Sequence, residues 1–171
     1  LSTIKDNGTP LHRMYIAQAS FDVASETGWN GQEWNIDTEY RWTGENDSTS
    51  YLEVWGSLDG NYNTQTIIQD AIDRGVQHPA ADLCAYSTAH GHSDWYLPAR
   101  TEASNIRAYL SAVELENQDA YDGRSGQYWT SSEKYNNSSY AMYINFPNGV
   151  LYKRYKNVLR QVRCVRAEDP L

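Results

Sequence analysis

The sequence contains only two cysteines, Cys84 and Cys164, and they lie far apart in the chain. They form no CxxC pair, whereas structural zinc sites usually take ligands from such closely spaced thiolates. The cysteine count therefore excludes a thiolate metal site and leaves either one disulfide or two buried thiols. It does not fix the redox compartment.

Long apolar runs are absent too. No stretch approaches the roughly 20 residues that a membrane-spanning helix needs, and no signal peptide is recognisable. We therefore predict no membrane insertion. The chain begins at Leu1 rather than at Met, as is expected where a leader or part of a longer parent has been removed.

Familiar catalytic motifs are missing as well. There is no HExxH, GxSxG, P-loop, GxGxxG or EF-hand pattern, so the corresponding hydrolase, nucleotide and calcium sites are not predicted. His90 and His92 could supply two metal ligands, but a turn ahead of Trp95 accounts for them with fewer assumptions. We predict no cofactor, no metal and no enzymatic activity.

Phenylalanine is scarce, with 2 residues against 14 Tyr and 6 Trp. Tyrosine joins apolar area to a hydroxyl that tolerates water, so its excess is typical of surfaces that contact a partner, although a large core could also contain it. The net charge of -8 argues against nucleic acid as that partner, because a phosphate backbone attracts a positive field.

Basic residues are unevenly placed despite the acidic total. They concentrate near the C-terminus, at Lys153, Arg154, Lys156, Arg160, Arg163 and Arg166. We interpret them as charges at strand ends that balance an acidic body, rather than as a nucleic-acid surface.

The local patterns predict one α+β domain over residues 1–171, with strands and turns up to residue 56. A first helix is expected after Asn63 and Thr64, either of which could cap it, and Gly75 should end it. A second short helix, from Ala80 to Thr88, should carry Cys84 on its buried side. A third is expected from about Arg100 to Val113, after Pro98.

From Gln127 onward the pattern changes to strands. Met142, Ile144 and Phe146 alternate with Tyr143 and Asn145, which indicates a sheet with one buried face. Residues 147–149 have the composition of a hairpin turn. Two further strands are predicted, Val150 to Tyr155 and Gln161 to Arg166.

Three motifs follow one another between Trp55 and Arg166. The first contains Trp55-Gly56, Asn63-Thr64 and Ile67. The second contains Ala81-Asp82-Leu83-Cys84, the run from Gly91 to Pro98, and Glu102. The third contains the run from Tyr128 to Glu133, Tyr140-Ala141, Phe146, Asn148-Gly149, and the run from Val162 to Arg166. In this order they resemble the DUF1566 family, a bacterial, archaeal and viral branch of the C-type-lectin-like and formylglycine-generating-enzyme-like fold.

The resemblance implies a C-type-lectin-like domain in which N-terminal strands and two to three helices precede a twisted antiparallel sheet. Residues 1–54 match the family less clearly. The resemblance also implies a long-range disulfide between Cys84 and Cys164. This sequence has Ala99 and Ala103 where the family commonly has a capping Ser and a Leu, so the capping box of the third helix is half missing.

Two acidic residues adjoin tryptophans that we expect in the core: Asp94 precedes Trp95, and Glu133 follows Trp129 closely. A carboxylate in such surroundings needs a hydrogen-bonded cation. We expect structural ion pairs, not a catalytic pair, with Arg163 and Arg166.

A second resemblance concerns the segment from Tyr135 to Arg160, in which five Tyr and five Asn accompany Ser138 and Ser139. It resembles the variable region of proteins diversified by retroelements, in which adenine-directed mutation scatters Asn, Tyr, Ser and Asp over a fixed scaffold. DUF1566-like proteins are a known class of such targets. The alternative is a Tyr- and Asn-rich lectin-like sheet without diversification.

We therefore predict a binding protein that presents exposed side chains on a fixed scaffold, with residues 128–166 as the variable, ligand-binding region. The predicted contact residues are Tyr135, Asn136, Asn137, Tyr143, Asn145, Tyr152, Arg154, Tyr155 and Asn157. The expected partner is a protein or glycan receptor on another cell or particle, and the expected location is extracellular, on a virion or on a cell surface.

Three alternatives remain at this point. One is an oxidase of the formylglycine-generating type, which a reactive free cysteine would indicate. Another is a glycan-binding adhesin without diversification. The third is a structural component of a virion or surface layer that has no ligand.

Overall fold

The structure is a computed structural model that describes the backbone of residues 2–6, 9–16, 39–44, 51–88, 91–113 and 126–168, and side chains within 39–44, 51–88, 91–108 and 126–167. These residues form eight strands and three helices, in the order β1 (Ser2–Asp6), β2 (Thr9–Ile16), β3 (Glu39–Arg41), α1 (Gly60–Arg74), α2 (Pro79–Ala85), α3 (Arg100–Val113), β4 (Gln127–Lys134), β5 (Asn137–Asn145), β6 (Val150–Tyr155), β7 (Leu159–Gln161) and β8 (Val165–Glu168). The α+β class is confirmed. Phe21, which was expected in a strand, lies outside the described residues.

The strands form two sheets, one of five strands in the order β3-β7-β4-β5-β6 and one of three in the order β1-β2-β8. The larger sheet is mixed rather than antiparallel, because β7 pairs with β4 in parallel through Tyr128 and Gln161. Alternation of apolar residues shows which face of a strand is buried, but it carries no information about the direction of a neighbour that is distant in sequence.

The last strand predicted from the sequence is in fact two. β7 pairs with β3 and β8 pairs with β2, so the chain leaves one sheet and enters the other across residues 162–164. Cys164 at this crossing is bonded to Cys84 of α2, with a Cα–Cα distance of 5.4 Å. The crossing is fixed by this tertiary link, which local periodicity does not reveal.

Helix α1 begins earlier than predicted. The side chain of Asp59 caps it by accepting a hydrogen bond from the Tyr62 N–H at 3.1 Å. Asn63 and Thr64 instead face the interior, where Asn63 donates to Ser131 and Thr64 accepts from the Leu97 N–H. They fasten α1 to β4 and to the segment before α3. Gly75 ends the helix as expected, with a left-handed φ of 65°.

Helix α3 has the predicted bounds, and its incomplete capping box is completed from elsewhere. Glu102 accepts a hydrogen bond from the Ala99 N–H at 2.7 Å, as in a capping box. The missing hydroxyl is supplied by Ser132 of β4, which accepts from the Arg100 N–H at 3.1 Å. The sheet therefore contributes the cap that position 99 lacks.

The same Glu102 carboxylate also joins α3 to the start of α1. It accepts hydrogen bonds from the Gly60 N–H at 3.0 Å and from the Tyr96 hydroxyl at 3.2 Å. A Cβ at position 60 would collide with this carboxylate, so glycine is required there. Burial raises the pKa of Glu102 to about 7, although the hydrogen bond from Ala99 opposes the shift.

This raised pKa predicts a stability that depends on pH. Because the folded protein holds the Glu102 proton more tightly than the unfolded chain, the contribution is complete below pH 4.5 and is lost as the pH rises through about 7. We expect Glu102 alone to lower the free energy of unfolding, measured by urea titration, by about 3 kcal/mol across this range. Burial also raises the pKa of Asp82 to about 6, so this group too makes the protein less stable as the pH rises.

Two variants separate these contributions. Glu102→Gln should reduce the pH dependence of the unfolding free energy and leave only the smaller fall below pH 7 that Asp82 causes. Asp82→Asn should leave the fall centred nearer pH 7 that Glu102 causes. An unchanged pH profile in Glu102→Gln would contradict the assignment.

The main core lies on one face of the five-stranded sheet, where Trp42, Trp95 and Trp129 pack with Leu97 and the disulfide. Both sulfurs are inaccessible to solvent. A smaller cluster on the opposite face joins Ala103 of α3 to Tyr128, Ile144, Phe146 and Leu151. The middle of the sheet is therefore covered on both faces.

Removing the disulfide should destabilise the protein. The bridge spans a sequence separation of 80 residues, for which the chain-entropy model gives roughly 4 kcal/mol. For the Cys84→Ala/Cys164→Ala variant we expect a measured loss of about 3 kcal/mol in urea unfolding, because a reduced denatured chain keeps some structure. A variant as stable as the oxidised wild type would contradict this expectation.

Candidate ligand-binding surface

The hairpin of β5 and β6 carries most of the residues predicted to contact a ligand. Its turn falls at residues 146–149, one residue longer than the predicted 147–149 because β5 ends at Asn145, and Gly149 adopts a φ of 70°. Asn148 closes the turn by accepting from the Val150 N–H at 3.0 Å. Arg107 of α3 donates hydrogen bonds to the carbonyls of Phe146 and Pro147, which anchors the turn to the helix layer.

Cross-strand register separates the hairpin side chains into two sets. Tyr143 lies opposite Tyr152, and Tyr140 lies opposite Tyr155. Because successive residues of a strand point to opposite faces, these two tyrosine pairs lie on different faces of the sheet. Of the three residues predicted to face the core, only Ile144 is fully buried; Met142 and Phe146 are half-buried, as are Tyr143 and Asn145.

The first pair is a partly covered aromatic surface. The rings of Tyr143 and Tyr152 stack with centroids 5.7 Å apart, and the Arg160 guanidinium lies 5.0 Å from the Tyr143 centroid. Tyr143 also meets the edge of buried Trp129. The row from Trp129 through Tyr143 to Tyr152 therefore runs from the core to solvent, where Tyr152 is 40% exposed.

Unpaired polar atoms accompany this aromatic surface. Asn145 Oδ1 and Arg160 Nε are both buried, and neither has a hydrogen-bond partner in the described part of the chain. Buried polar atoms in native proteins are usually satisfied by protein or water. An acceptor and a donor are thus available beside stacked tyrosine rings.

The second pair is more exposed. The rings of Tyr140 and Tyr155 lie 4.4 Å apart, and the Lys153 ammonium lies 5.6 Å from the Tyr140 centroid. A hydrogen bond with the Tyr155 side chain raises the pKa of the Tyr140 hydroxyl.

The β4–β5 turn is held against the loop that precedes α1. Tyr135 packs edge-on against Trp55 at a centroid distance of 4.3 Å, and the Tyr51 hydroxyl accepts from the Asn136 N–H at 3.0 Å. Asn136 has a positive φ of 51°, which asparagine tolerates better than most residues. Asn137 Oδ1 accepts from the Ser139 N–H and so starts β5.

The predicted contact residues are accessible but do not all share one face. Six are exposed and three are half-buried; the half-buried ones are Asn137, Tyr143 and Asn145. Tyr143, Asn145, Tyr152 and Arg154 share a face by register, whereas Tyr155 lies on the other face beside Tyr140. Asn157 lies beyond β6, where its carbonyl accepts from Arg41.

Sequence reasoning missed Tyr140, Arg160, Trp55 and Tyr51, which contact the predicted residues. Tyr140 lies two residues before Met142 in β5, so the alternation that assigned Met142 to the core also assigned Tyr140 to that face, where its ring is only half-buried. Arg160 lies on β7, a strand whose position in the sheet was not predicted. No local signal identifies Tyr51 or Trp55 as a support for the turn.

One expected ion pair is present and the other has a different partner. Arg166 donates to Asp94 at 2.8 Å, and this hydrogen bond lowers the pKa of the Asp94 carboxyl. Glu133 pairs with Lys156 at 2.5 Å, not with an arginine. Lys156 was assigned to a strand-end charge, but it continues the inward face of β6 and its ammonium lies 4.5 Å from the Trp42 ring centroid.

Within the described residues, no group of three or more His, Cys, Asp or Glu side chains could hold a metal ion. None of the helices in the described ranges is long and apolar enough to cross a membrane.

Comparison with known proteins gives one family. The family model of the Lcl C-terminal domain matches residues 3–166, which includes most of the N-terminal part that the sequence motifs left undefined. No curated protein matches the chain.

Proposed function

Because the chain belongs to the Lcl C-terminal domain family, which is the DUF1566 family, we propose that it is a ligand-binding domain with a C-type-lectin-like fold. Its ligand is a protein or glycan receptor, bound by the exposed side chains of residues 135–157. Rigid tyrosines supply contact area, and Asn and Arg supply adaptable hydrogen bonds.

The observation that carries this proposal is the separation of fixed and exposed positions within single strands. In β5, Ala141 and Ile144 are fully buried, whereas Tyr140 and Tyr143 are half-buried, and on β6 Tyr152 and Tyr155 are exposed. Beneath the hairpin lie a disulfide, a buried ion pair and three buried tryptophans. A scaffold secured in this way tolerates changes at its surface, since surface substitutions usually alter stability by less than about 0.5 kcal/mol.

The same separation supports diversification by a retroelement. The exposed positions hold Tyr, Asn and Arg, whereas the buried positions between them hold residues that the core requires. Asn136 lies in a turn, Asn137 is the first residue of β5, and Tyr152 and Tyr155 lie on an outer strand, where replacement leaves the core intact. Display on a virion or cell surface is the setting in which such variation would change the receptor that is bound.

The alternative function as a formylglycine-generating-type oxidase receives less support. That chemistry needs a reactive cysteine, but both cysteines of the chain are joined in the buried disulfide. The glycan-binding adhesin differs from our proposal only in lacking variation, so sequence variation at the locus separates the two.

Sequencing the locus across a natural population tests the proposal. We expect substitutions at adenine-containing codons to concentrate at positions 135–137, 143, 145, 152, 154, 155 and 157. Buried Trp129, Ala141, Ile144 and Lys156 serve as internal controls and should not vary. Variation spread equally over both groups would contradict diversification, and an invariant locus would favour the adhesin.

Stability measurements test the binding surface independently. The triple variant Asn136→Ser/Tyr152→Ser/Asn157→Ser should unfold within about 1 kcal/mol of wild type, because these side chains are exposed. Display libraries randomised at the same positions should yield binders to unrelated receptors. A loss well above 1 kcal/mol would show that these residues support the fold.

A further inference from the structure

Strand β6 is the outer strand of the five-stranded sheet. No strand in the described part of the chain pairs with its free side. Three of its side chains are large, apolar in part and exposed: Val150 at 43%, Tyr152 at 40% and Tyr155 at 52%. Its register with β5 is continuous over all six residues, without a bulge, and it contains neither Pro nor Gly. Outer strands usually avoid further pairing through short length, a bulge, a Pro or charged side chains, and of these β6 has only the charged Lys153 and Arg154.

The direction of the main-chain groups follows from one hydrogen bond. The Lys156 N–H donates to the Ser139 carbonyl across the hairpin at 3.0 Å. Main-chain groups alternate along an antiparallel strand, so residues 150, 152 and 154 also face β5. The N–H and C=O groups of Leu151 and Lys153 and the N–H group of Tyr155 therefore face away from the sheet and can pair with another strand, whereas the Tyr155 carbonyl accepts from the Val158 N–H at 3.1 Å.

The charge around this edge is of one sign. No Asp or Glu occurs between Glu133 and Glu168, although the chain has 22 acidic residues in total. Lys153 and Arg154 are both exposed at the centre of β6, and neither forms an ion pair within the described residues. Two copies of β6 placed side by side would bring these cations together, which disfavours pairing of the chain with itself.

We propose that β6 is a docking edge for an extended acidic peptide segment of the receptor, which adds a sixth strand to the sheet. This inference rests on the proposed function, because β6 carries Tyr152, Arg154 and Tyr155 of the candidate surface. It specifies the class of ligand: main-chain hydrogen bonds supply affinity, and the side chains on either side of the strand supply selectivity.

The order of side chains along β6 defines the preferred peptide. Tyr152 and Arg154 lie on one face, and Lys153 and Tyr155 lie on the other. A partner strand in register would therefore meet an aromatic ring, two consecutive cations and a second aromatic ring. Two adjacent acidic residues flanked by apolar ones match this order on both faces.

Titration of the uniformly ¹⁵N-labelled protein with a capped Thr-Val-Glu-Glu-Val-Thr peptide tests the proposal. The amide signals of Leu151, Lys153 and Tyr155 should shift most, because their N–H groups gain acceptors. A peptide with Lys in place of both Glu should produce no shifts. A peptide with Pro in place of both Val keeps the charge but loses the one of these two N–H groups that would face β6, and it should bind about tenfold more weakly.

Two variants at one position separate main chain from side chain. Lys153→Pro removes the outward N–H without removing a bond to β5, and it should weaken binding of the acidic peptide by about tenfold. Lys153→Ala keeps the N–H and loses only the charge, so it should weaken binding less. An unaltered amide spectrum away from β6 verifies that each variant is folded. If Lys153→Pro does not fold, the comparison of the Val- and Pro-containing peptides and the Lys153→Ala variant still test edge pairing.

Several results would overturn the inference. Equal binding of the Val- and Pro-containing peptides would show that charge alone attracts them. Concentration-dependent broadening of the β6 amides without peptide would show that a second copy occupies the edge. Shifts confined to Tyr143 and Asn145 would place the peptide on the sheet face, which rejects edge pairing while leaving the proposed function standing. Failure of the proposed function would be seen in a different experiment: the population sequences would show no concentration of substitutions at the surface positions.

Discussion

Replacing Trp129 with alanine should lower the free energy of unfolding by about 5 kcal/mol, at the upper end of the range for large-to-small changes in a core. The indole is inaccessible to solvent and lies in the main core cluster beneath the hairpin. Its Nε1 donates to the Tyr40 carbonyl at 2.8 Å, so truncation also removes this hydrogen bond.

Urea unfolding monitored by circular dichroism measures this loss, and Trp55→Ala is the matched control. Trp55 is only partly buried, and its main aromatic contact is the edge of exposed Tyr135. We expect the control to lose about 1 kcal/mol. Similar losses in both variants would mean that Trp129 is not the centre of the core, and the basis for a fixed scaffold would then be lost.

Elements specified by neighbouring residues were predictable from the sequence. The bounds of α3 follow from Pro98 and a helical apolar period, and those of β6 follow from the turn at 147–149 and the next run of polar residues. Both elements begin and end at signals that lie within a few residues of them. The alternation in β5 likewise identified Ile144 as buried.

Features that depend on distant residues were not predictable. Ser132 caps α3 from a strand, and Asn63 bonds β4 instead of capping α1, although both positions contain ordinary capping residue types. The partner of Glu133 was misassigned because its true partner, Lys156, occurs in a run of exposed basic residues. A sequence shows which side chains can pair, but the choice between them depends on the tertiary arrangement.

The candidate surface illustrates the same division. The sequence identified an accessible set of Tyr and Asn residues, because turn chemistry and strand alternation are local properties. It did not place Tyr155 on the face opposite Tyr152, since that assignment requires the register between β5 and β6. The sequence also did not predict the contact of the Arg160 guanidinium with the Tyr143 ring, because this contact depends on the position of β7 in the sheet.

The buried ion pair beneath the hairpin leads to a further large effect. Lys156→Met should lower the free energy of unfolding by about 4 kcal/mol, because it leaves the Glu133 carboxylate buried without its cation. Both side chains are almost inaccessible, with relative exposures of 2% for Lys156 and 0% for Glu133. The Lys156 ammonium also lies 4.5 Å from the Trp42 ring centroid, a contact that methionine replaces only in part.

A double variant distinguishes the lost cation from lost packing. Glu133→Gln removes the carboxylate charge but retains an oxygen that can accept from the Leu52 N–H, as Glu133 Oε2 does at 2.9 Å. Lys156→Met/Glu133→Gln should therefore recover about 2 kcal/mol of the loss in Lys156→Met, since no uncompensated charge remains buried. If the double variant is no more stable than Lys156→Met, packing rather than charge explains the loss.

Arg154→Met is the matched control for this cycle, because it replaces an exposed cation two residues earlier in the chain. Its stability should remain within about 0.5 kcal/mol of wild type. The contrast bears directly on the binding proposal: Arg154 and Lys156 follow the same alternation, yet only Lys156 is covered by Trp42 and paired with Glu133. A large loss in Arg154→Met would place Arg154 among the residues that support the fold, and it could not then vary freely at a ligand-binding surface.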